Sequence, residues 1–163
     1  PENVGTSNTT GIEFNAKYIP ANWVSFTNDF NYSHFAREGD FEGSSFDFTG
    51  DQWSTRLTGK FKLPADIDIE LIGNYRSNYR TLQQEVSENL FMDFGARKKI
   101  LKGKAIVNLS VRDVFASRIS ESITTQPTYY LRDYSKRGRF ITLGISFGFG
   151  KGEAMEFSGQ KHF

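Results

Sequence analysis

Trp53-Ser54-Thr55-Arg56-Leu57-Thr58-Gly59-Lys60-Phe61-Lys62-Leu63-Pro64-Ala65-Asp66-Ile67-Asp68-Ile69-Glu70-Leu71 is the stretch that decides the fold. Trp53, Leu57, Phe61 and Leu63 share one parity, with Thr55 and Gly59 between them. Ser54, Arg56, Thr58, Lys60 and Lys62 take the other. After Pro64-Ala65-Asp66 the pattern resumes: Ile67, Ile69, Leu71, Gly73 and Tyr75 alternate with Asp68, Glu70, Asn74 and Arg76, and Ile72 is the exception. A period of two puts the two sets on opposite faces of a strand, and a short Pro-containing connection makes the pair a hairpin. Opposing Leu63 to Ile67 sets Lys62 against Asp68 and Lys60 against Glu70, so opposite charges meet on the polar face. A slip of one residue would turn every side chain to the other face. Charge and apolarity therefore select the same register.

The same alternation extends outward in both directions. Ile12, Phe14, Ala16 and Tyr18 form one apolar set, and Val24, Phe26, Phe30 and Tyr32 the next. Leu90, Met92, Phe94 and Ala96 continue it, then Ala105, Val107, Leu109 and Val111, and finally Ile141, Leu143, Ile145, Phe147 and Phe149. About seven strands and no helix follow from this pattern. Short connections at residues 20–22, 64–66 and 101–104 alternate with longer polar stretches at 36–50, 80–88 and 116–135, which are expected to be loops. Residues 23–38 and 104–124 are expected to form long strands. Short turns on one side and long loops on the other are the layout of an outer-membrane barrel. The expected fold is all-β: an antiparallel transmembrane β-barrel segment of about seven up-and-down strands. Seven strands cannot close a wide barrel, and open edges are not tolerated in lipid, so residues 1–149 are expected to be part of a larger barrel. Residues 150–163 are expected to be a periplasmic tail.

Composition narrows the class. Phe contributes 16 residues and Tyr 7, yet mean hydropathy is −0.50, because the aromatics stand singly between polar residues. No apolar run approaches the ~20 residues of a membrane helix. Lys and Arg (20) balance Asp and Glu (19), which gives no electrostatic reason to expect nucleic acid as partner. Cysteine is absent, which excludes disulfides and thiolate metal sites. Pro1-Glu2-Asn3 resembles no signal peptide, so the segment reads as starting within a longer chain. Tyr18 and Trp23 flank the first short turn, Phe61 lies near the second, and Phe147 and Phe149 end the last strand. Tyr32, Phe35, Trp53, Tyr75 and Tyr79 lie towards the long-loop side. Two aromatic girdles are what the two membrane interfaces select. The competing reading, a soluble β-sandwich, also alternates. Against it stand the long strands, the girdles, and small residues such as Gly59, Gly73 and Ala96 on the apolar face.

No constellation demands catalysis, a metal or a cofactor, and the chain is expected not to be an enzyme. Asp66, Asp68 and Glu70 at alternate positions suit a hard cation, but Lys60 and Lys62 stand ready to pair with them in a barrel wall. His34 and His162 are the only histidines and lie far apart in the chain. Gly144, Gly148, Gly150 and Gly152 lack the following helix that a phosphate loop needs. Arg132, Lys136, Arg137 and Arg139 form a basic cluster able to attract an anion or lipopolysaccharide phosphates. Tyr129, Tyr130 and Tyr134 beside it could stack on a ligand or form part of a girdle.

Val107-Asn108-Leu109-Ser110-Val111-Arg112-Asp113-Val114-Phe115 resembles the penultimate strand of TonB-dependent receptors, in which an aspartate precedes an apolar residue and a Phe. Residues 137–149, Arg137-Gly138-Arg139-Phe140-Ile141-Thr142-Leu143-Gly144-Ile145-Ser146-Phe147-Gly148-Phe149, resemble their final strand. The similarity is closest to the Bacteroidetes outer-membrane barrel group, and the tail after Phe149 is also similar to tails there. It covers about the last third of the chain. The resemblance implies a barrel of about 22 strands around a plug and uptake of a nutrient driven by TonB through a plug-bearing part N-terminal to these residues. It also implies that barrel-assembly machinery reads Phe140, Leu143, Ile145, Phe147 and Phe149 as an insertion signal. Expected surroundings are outer-membrane lipid and lipopolysaccharide. The alternative function is a structural or assembly component of a larger outer-membrane protein complex.

Overall fold

The computed structural model describes residues 5–41, 44–81, 84–126 and 128–148. Eleven strands are found among them: β1 (Gly5–Ala21), β2 (Val24–Phe41), β3 (Ser44–Leu63), β4 (Ile67–Arg76), β5 (Tyr79–Arg80), β6 (Gln84–Val86), β7 (Asn89–Ile100), β8 (Ala105–Arg112), β9 (Ile119–Gln126), β10 (Tyr129–Lys136) and β11 (Phe140–Phe147). Seven of them make one antiparallel sheet in the order β1-β2-β3-β4-β7-β8-β11, the wall. The remaining four make a second sheet in the order β10-β9-β6-β5, the rim. The only helical element among the described residues is a 3₁₀ turn, Leu101–Gly103.

Register carries the alternation across the whole wall. Directly opposed residues share a face. Tyr18 opposes Phe26, Phe26 opposes Gly59, and Gly59 opposes Leu71. Leu71 opposes Phe94, Phe94 opposes Val111, and Val111 opposes Ile141. This apolar row crosses all seven strands without a break. The neighbouring row on the other face reads Ser25, Lys60, Glu70, Gly95, Ser110 and Thr142. The hairpin that fixes the pattern has Leu63 opposite Ile67, Lys62 opposite Asp68 and Lys60 opposite Glu70. Its turn holds Ala65 and Asp66 at φ 64° and 56° behind Pro64, whose ring presets the entry to the turn.

The apolar face is bare. Only Val24, Val86 and Ala105 among the described hydrophobic residues are buried, and no large side chain is fully buried. Leu57 is 51% exposed and Leu143 68% exposed. A sandwich would lay a second sheet over this face. The rim sheet does not bury it.

Three expectations about the loops need correction. Most of residues 36–50 is strand: β2 runs to Phe41 and β3 starts at Ser44, so the two form one tall hairpin. The stretches 80–88 and 116–135 contain β6, β9 and most of β10, and the two hairpins pair with each other through β6 and β9. The long strand expected over 104–124 ends at Arg112. The first short turn is also tighter than the sequence suggests. Ala21 pairs with Val24, and an irregularity in register between Tyr18 and Ala21 absorbs the extra residues.

Candidate functional site

Of the residues expected in the girdle on the long-loop side, Tyr32, Trp53 and Tyr75 come together on the apolar face. Tyr32 opposes Trp53, and the Trp53 and Tyr75 rings lie 4.6 Å apart. The Tyr75 hydroxyl donates to the Glu88 carboxylate at 2.9 Å, and the Tyr32 hydroxyl donates to Asp51 Oδ1 at 2.6 Å. Each ring is thus apolar below and polar at its tip, as an interface residue should be. One step beyond Tyr32 on the same face, His34 Nδ1 lies 2.8 Å from Asp51 Oδ1. The Tyr32 hydroxyl, and then His34, hold the Asp51 carboxyl below its ordinary pKa. Polarity replaces apolarity at this level. The girdle therefore does not sit at the strand ends in β2 and β3, which continue well past it. Phe35 does not belong to it: it lies on the opposite parity, its ring 5.8 Å from Phe48. Tyr79 is in β5 of the rim sheet, under the Arg76 guanidinium.

At the other end, Phe26 and Phe61 meet edge to face at 5.9 Å. A Cβ on Gly59 would stand 3.2 Å from the Phe61 ring and 3.4 Å from that of Phe26, so the glycine makes room for the pair. Tyr18 opposes Phe26 and is exposed. Trp23 sits in the turn itself, exposed, its carbonyl accepting from Lys62 N–H at 2.7 Å. Ten residue steps separate Trp53 from Leu63. At ~3.4 Å per residue and a tilt of ~40°, that apolar run is ~25 Å tall, the height of the apolar band of a membrane barrel.

On β11, Leu143 opposes Leu109, Ile145 opposes Val107 and Phe147 opposes Ala105, all on the apolar face. Phe140 opposes Arg112 and falls on the polar parity. Phe149, His162 and the tail 150–163 lie outside the described residues.

The polar face carries the charges. Lys60 Nζ is 3.1 Å from Glu70 Oε2. Asp68 faces Lys62 in register, but its ion contact is to Arg97 on the other flanking strand, at 3.6 Å. Asp66 is in the turn, apart from both, and no cluster of metal-binding side chains occurs among the described residues. Of the basic cluster, Arg132 is tied to Glu121 at 2.6 Å, which raises the guanidinium's already high pKa. Arg137 turns instead to a cleft of about 700 Å³ between the polar face and the base of β9 and β10. Arg56 and Asn74 from the wall line this cleft, with Arg118 and Ser120 from the rim.

Asp113 explains how the rim sheet comes to stand over that face. It is 2% exposed and adopts φ 53°, a left-handed conformation that Asp tolerates. Its carboxylate accepts from Ser117 N–H at 2.8 Å and Arg118 N–H at 2.9 Å, while its own N–H donates to Asp93 Oδ1 at 2.8 Å. Val114 N–H returns to the Met92 carbonyl at 2.7 Å. The chain thereby leaves the wall at Arg112 and enters the rim at Ile119 around a corner held by the Asp113 carboxylate. Asp113 stands in the quoted receptor-like strand, yet its part in this corner was not legible there. Arg118 and Arg76 carry no sequence signal at all, since each is one arginine among many.

An antiparallel sheet with one predominantly apolar face, a ring-lined band ~25 Å tall and a reverse face carrying the ion pairs is the wall of a membrane-spanning β-barrel. The chain belongs to the outer membrane protein beta-barrel family, whose model matches residues 1–149. Comparison with curated proteins and with solved structures gave no match. Family membership supports an outer-membrane location.

Proposed function

We propose that this chain supplies C-terminal strands to the barrel wall of a TonB-dependent receptor of the Bacteroidetes type, which takes up a nutrient across the outer membrane. The observation that carries this reading is the pair of adjacent rows across the wall, one apolar from Tyr18 to Ile141 and one polar from Ser25 to Thr142. Such a wall separates lipid from a polar lumen. In this reading Tyr18, Trp23, Phe61 and Phe147 sit at the periplasmic interface, with Tyr32, Trp53 and Tyr75 at the outer one. The ion pairs of Lys60 and Asp68 face the lumen, and the rim sheet stands at the cell surface beside lipopolysaccharide. The tail 150–163 is periplasmic, barrel-assembly machinery reads β11, and TonB acts through the N-terminal part of the parent. The resemblance of residues 107–115 and 137–149 to receptor strands supports the receptor assignment over a plain pore.

The test is the mass of the native polypeptide in an outer-membrane fraction, detected with an antibody to residues 150–163. A band several times 18.6 kDa, from a gene encoding a plug and a TonB-contacting segment, is expected. A band near 18.6 kDa would sink the receptor reading. A large band without such a segment, co-purifying with other outer-membrane proteins, would support the structural role instead.

A further inference from the structure

Among the described residues, four Lys or Arg ion pairs and the His34–Asp51 contact are formed, and none uses an arginine of the cleft. Arg56, Arg76, Arg118 and Arg137 all line the cleft, and none has a carboxylate of the described residues within 4.0 Å. The acids of the cleft are Glu13 and Asp29. Glu13 accepts from Asn31 Nδ2 at 3.1 Å. Cations outnumber acids in a concave, partly desolvated space, where their fields add.

Two of these arginines are held by rings rather than by carboxylates. The Arg118 guanidinium lies 4.5 Å from the Phe91 ring centroid, and that of Arg76 lies 5.6 Å from Tyr79. A ring orients the guanidinium plane while leaving its charge and N–H fork unspent. Arg76 Nε and Asn89 Oδ1 are both buried without a hydrogen-bond partner, and the two residues oppose each other across β4 and β7. A buried donor and a buried acceptor left unpaired on opposed residues are costly unless a bound group satisfies them.

We infer that the cleft between the polar face and the rim is a binding site for a small solute bearing an oxyanion, a carboxylate or a phosphate. Arg118 and Arg76 grip the anionic group through their forks. Asn89 Oδ1 accepts from a neighbouring hydroxyl of the same solute, and Arg56 and Arg137 supply the surrounding positive field. The site rests on the reading that the polar face lines an aqueous interior, and it adds a ligand class to that reading.

The experiment is calorimetric titration of the full-length protein, purified folded in detergent, with citrate and separately with inorganic phosphate. Saturable binding of at least one is expected, and the stronger of the two identifies carboxylate or phosphate as the group read. Arg118→Gln and Arg76→Gln should each weaken it by about tenfold or more, as expected for a lost hydrogen bond to a charged group. Lys98→Gln, on the apolar parity of β7 and outside the cleft, should leave it unchanged. Heat-modifiable migration on a gel checks folding, and Arg137→Gln, whose side chain is exposed, keeps the test decisive where the other two variants fail to fold. No saturable binding of either anion, or wild-type affinity in both folded Arg118→Gln and folded Arg137→Gln, would overturn the site. If lipid quenching places Leu57 against lipid while the titration fails, the site alone is lost. If Leu57 is not against lipid, the face assignment beneath it is lost as well.

Discussion

The seven-stranded wall and the four-stranded rim have the same antiparallel geometry but answer to different surroundings. Each wall strand meets apolar surroundings on one face and polar ones on the other, so its residues alternate sharply: Ile67, Ile69 and Leu71 against Asp68 and Glu70. β9 reads Ile119-Ser120-Glu121-Ser122-Ile123-Thr124-Thr125-Gln126, and β10 exposes all of its eight residues. With no apolar solvent to satisfy, the rim is held by backbone ladders, by the Arg132–Glu121 pair and by the Asp113 corner. The wall's stability is therefore expected to reside in lipid contact, and the rim's in a few polar bonds.

The largest effect should come from a charge placed on the wall. Leu57→Arg lies near the middle of the 53–63 band and should cost about 2–4 kcal/mol in reversible unfolding from lipid vesicles. Leu131→Arg, the same change in exposed β10, should cost less than about 0.5 kcal/mol. Equal costs would erase the distinction between the sheets. Next comes Asp113→Ala, which leaves the N–H groups of Ser117 and Arg118 without acceptors. At about 1–3 kcal/mol per buried unsatisfied group, the rim should loosen. Limited proteolysis should then cut within β9 and β10 while the wall stays protected. Lys60→Glu sets two carboxylates opposite each other on the polar face. It should cost about 0.2–1 kcal/mol in the same unfolding assay, far less than an arginine at Leu57, three residues away on the apolar face.

The smallest effect concerns the Tyr32–His34–Asp51 cluster of the β2–β3 hairpin, just beyond the apolar band. The folded-state pKa of Asp51 is depressed by the Tyr32 hydroxyl and His34. Its stabilisation is therefore fully present above the ordinary value of 3.8 and is lost as pH falls through the depressed one. Hydrogen exchange of β2 amides near His34 should accelerate below pH 3.8 in the wild type. Asp51→Asn, which cannot titrate, should abolish that acceleration.

How much of this was legible follows from the same contrast. Residues 53–71 dictated their own register because charge and apolarity agreed, and Leu63 does oppose Ile67. The rim was read as loops because pairing of β6 with β9 joins Gln84 to Thr124, a contact between hairpins that no local period announces. The ion contact of Asp68 went to Arg97 because β7 flanks β4 on its other side, and the hairpin alone could not show that third strand. The cleft was invisible for a similar reason: Arg76 and Arg118 are far apart in sequence and meet only because Asp113 turns the chain over the polar face.

The central claim is that the apolar parity of the wall lies in lipid. It is tested most directly by single-cysteine spin labels along residues 54–63 of the protein in lipid vesicles, scored for collision with oxygen and with a water-soluble nickel chelate. The account predicts a period of two, with oxygen favoured at Thr55, Leu57, Gly59 and Phe61 and nickel at Arg56, Thr58, Lys60 and Lys62. Uniform accessibility, or the opposite phase, would contradict it.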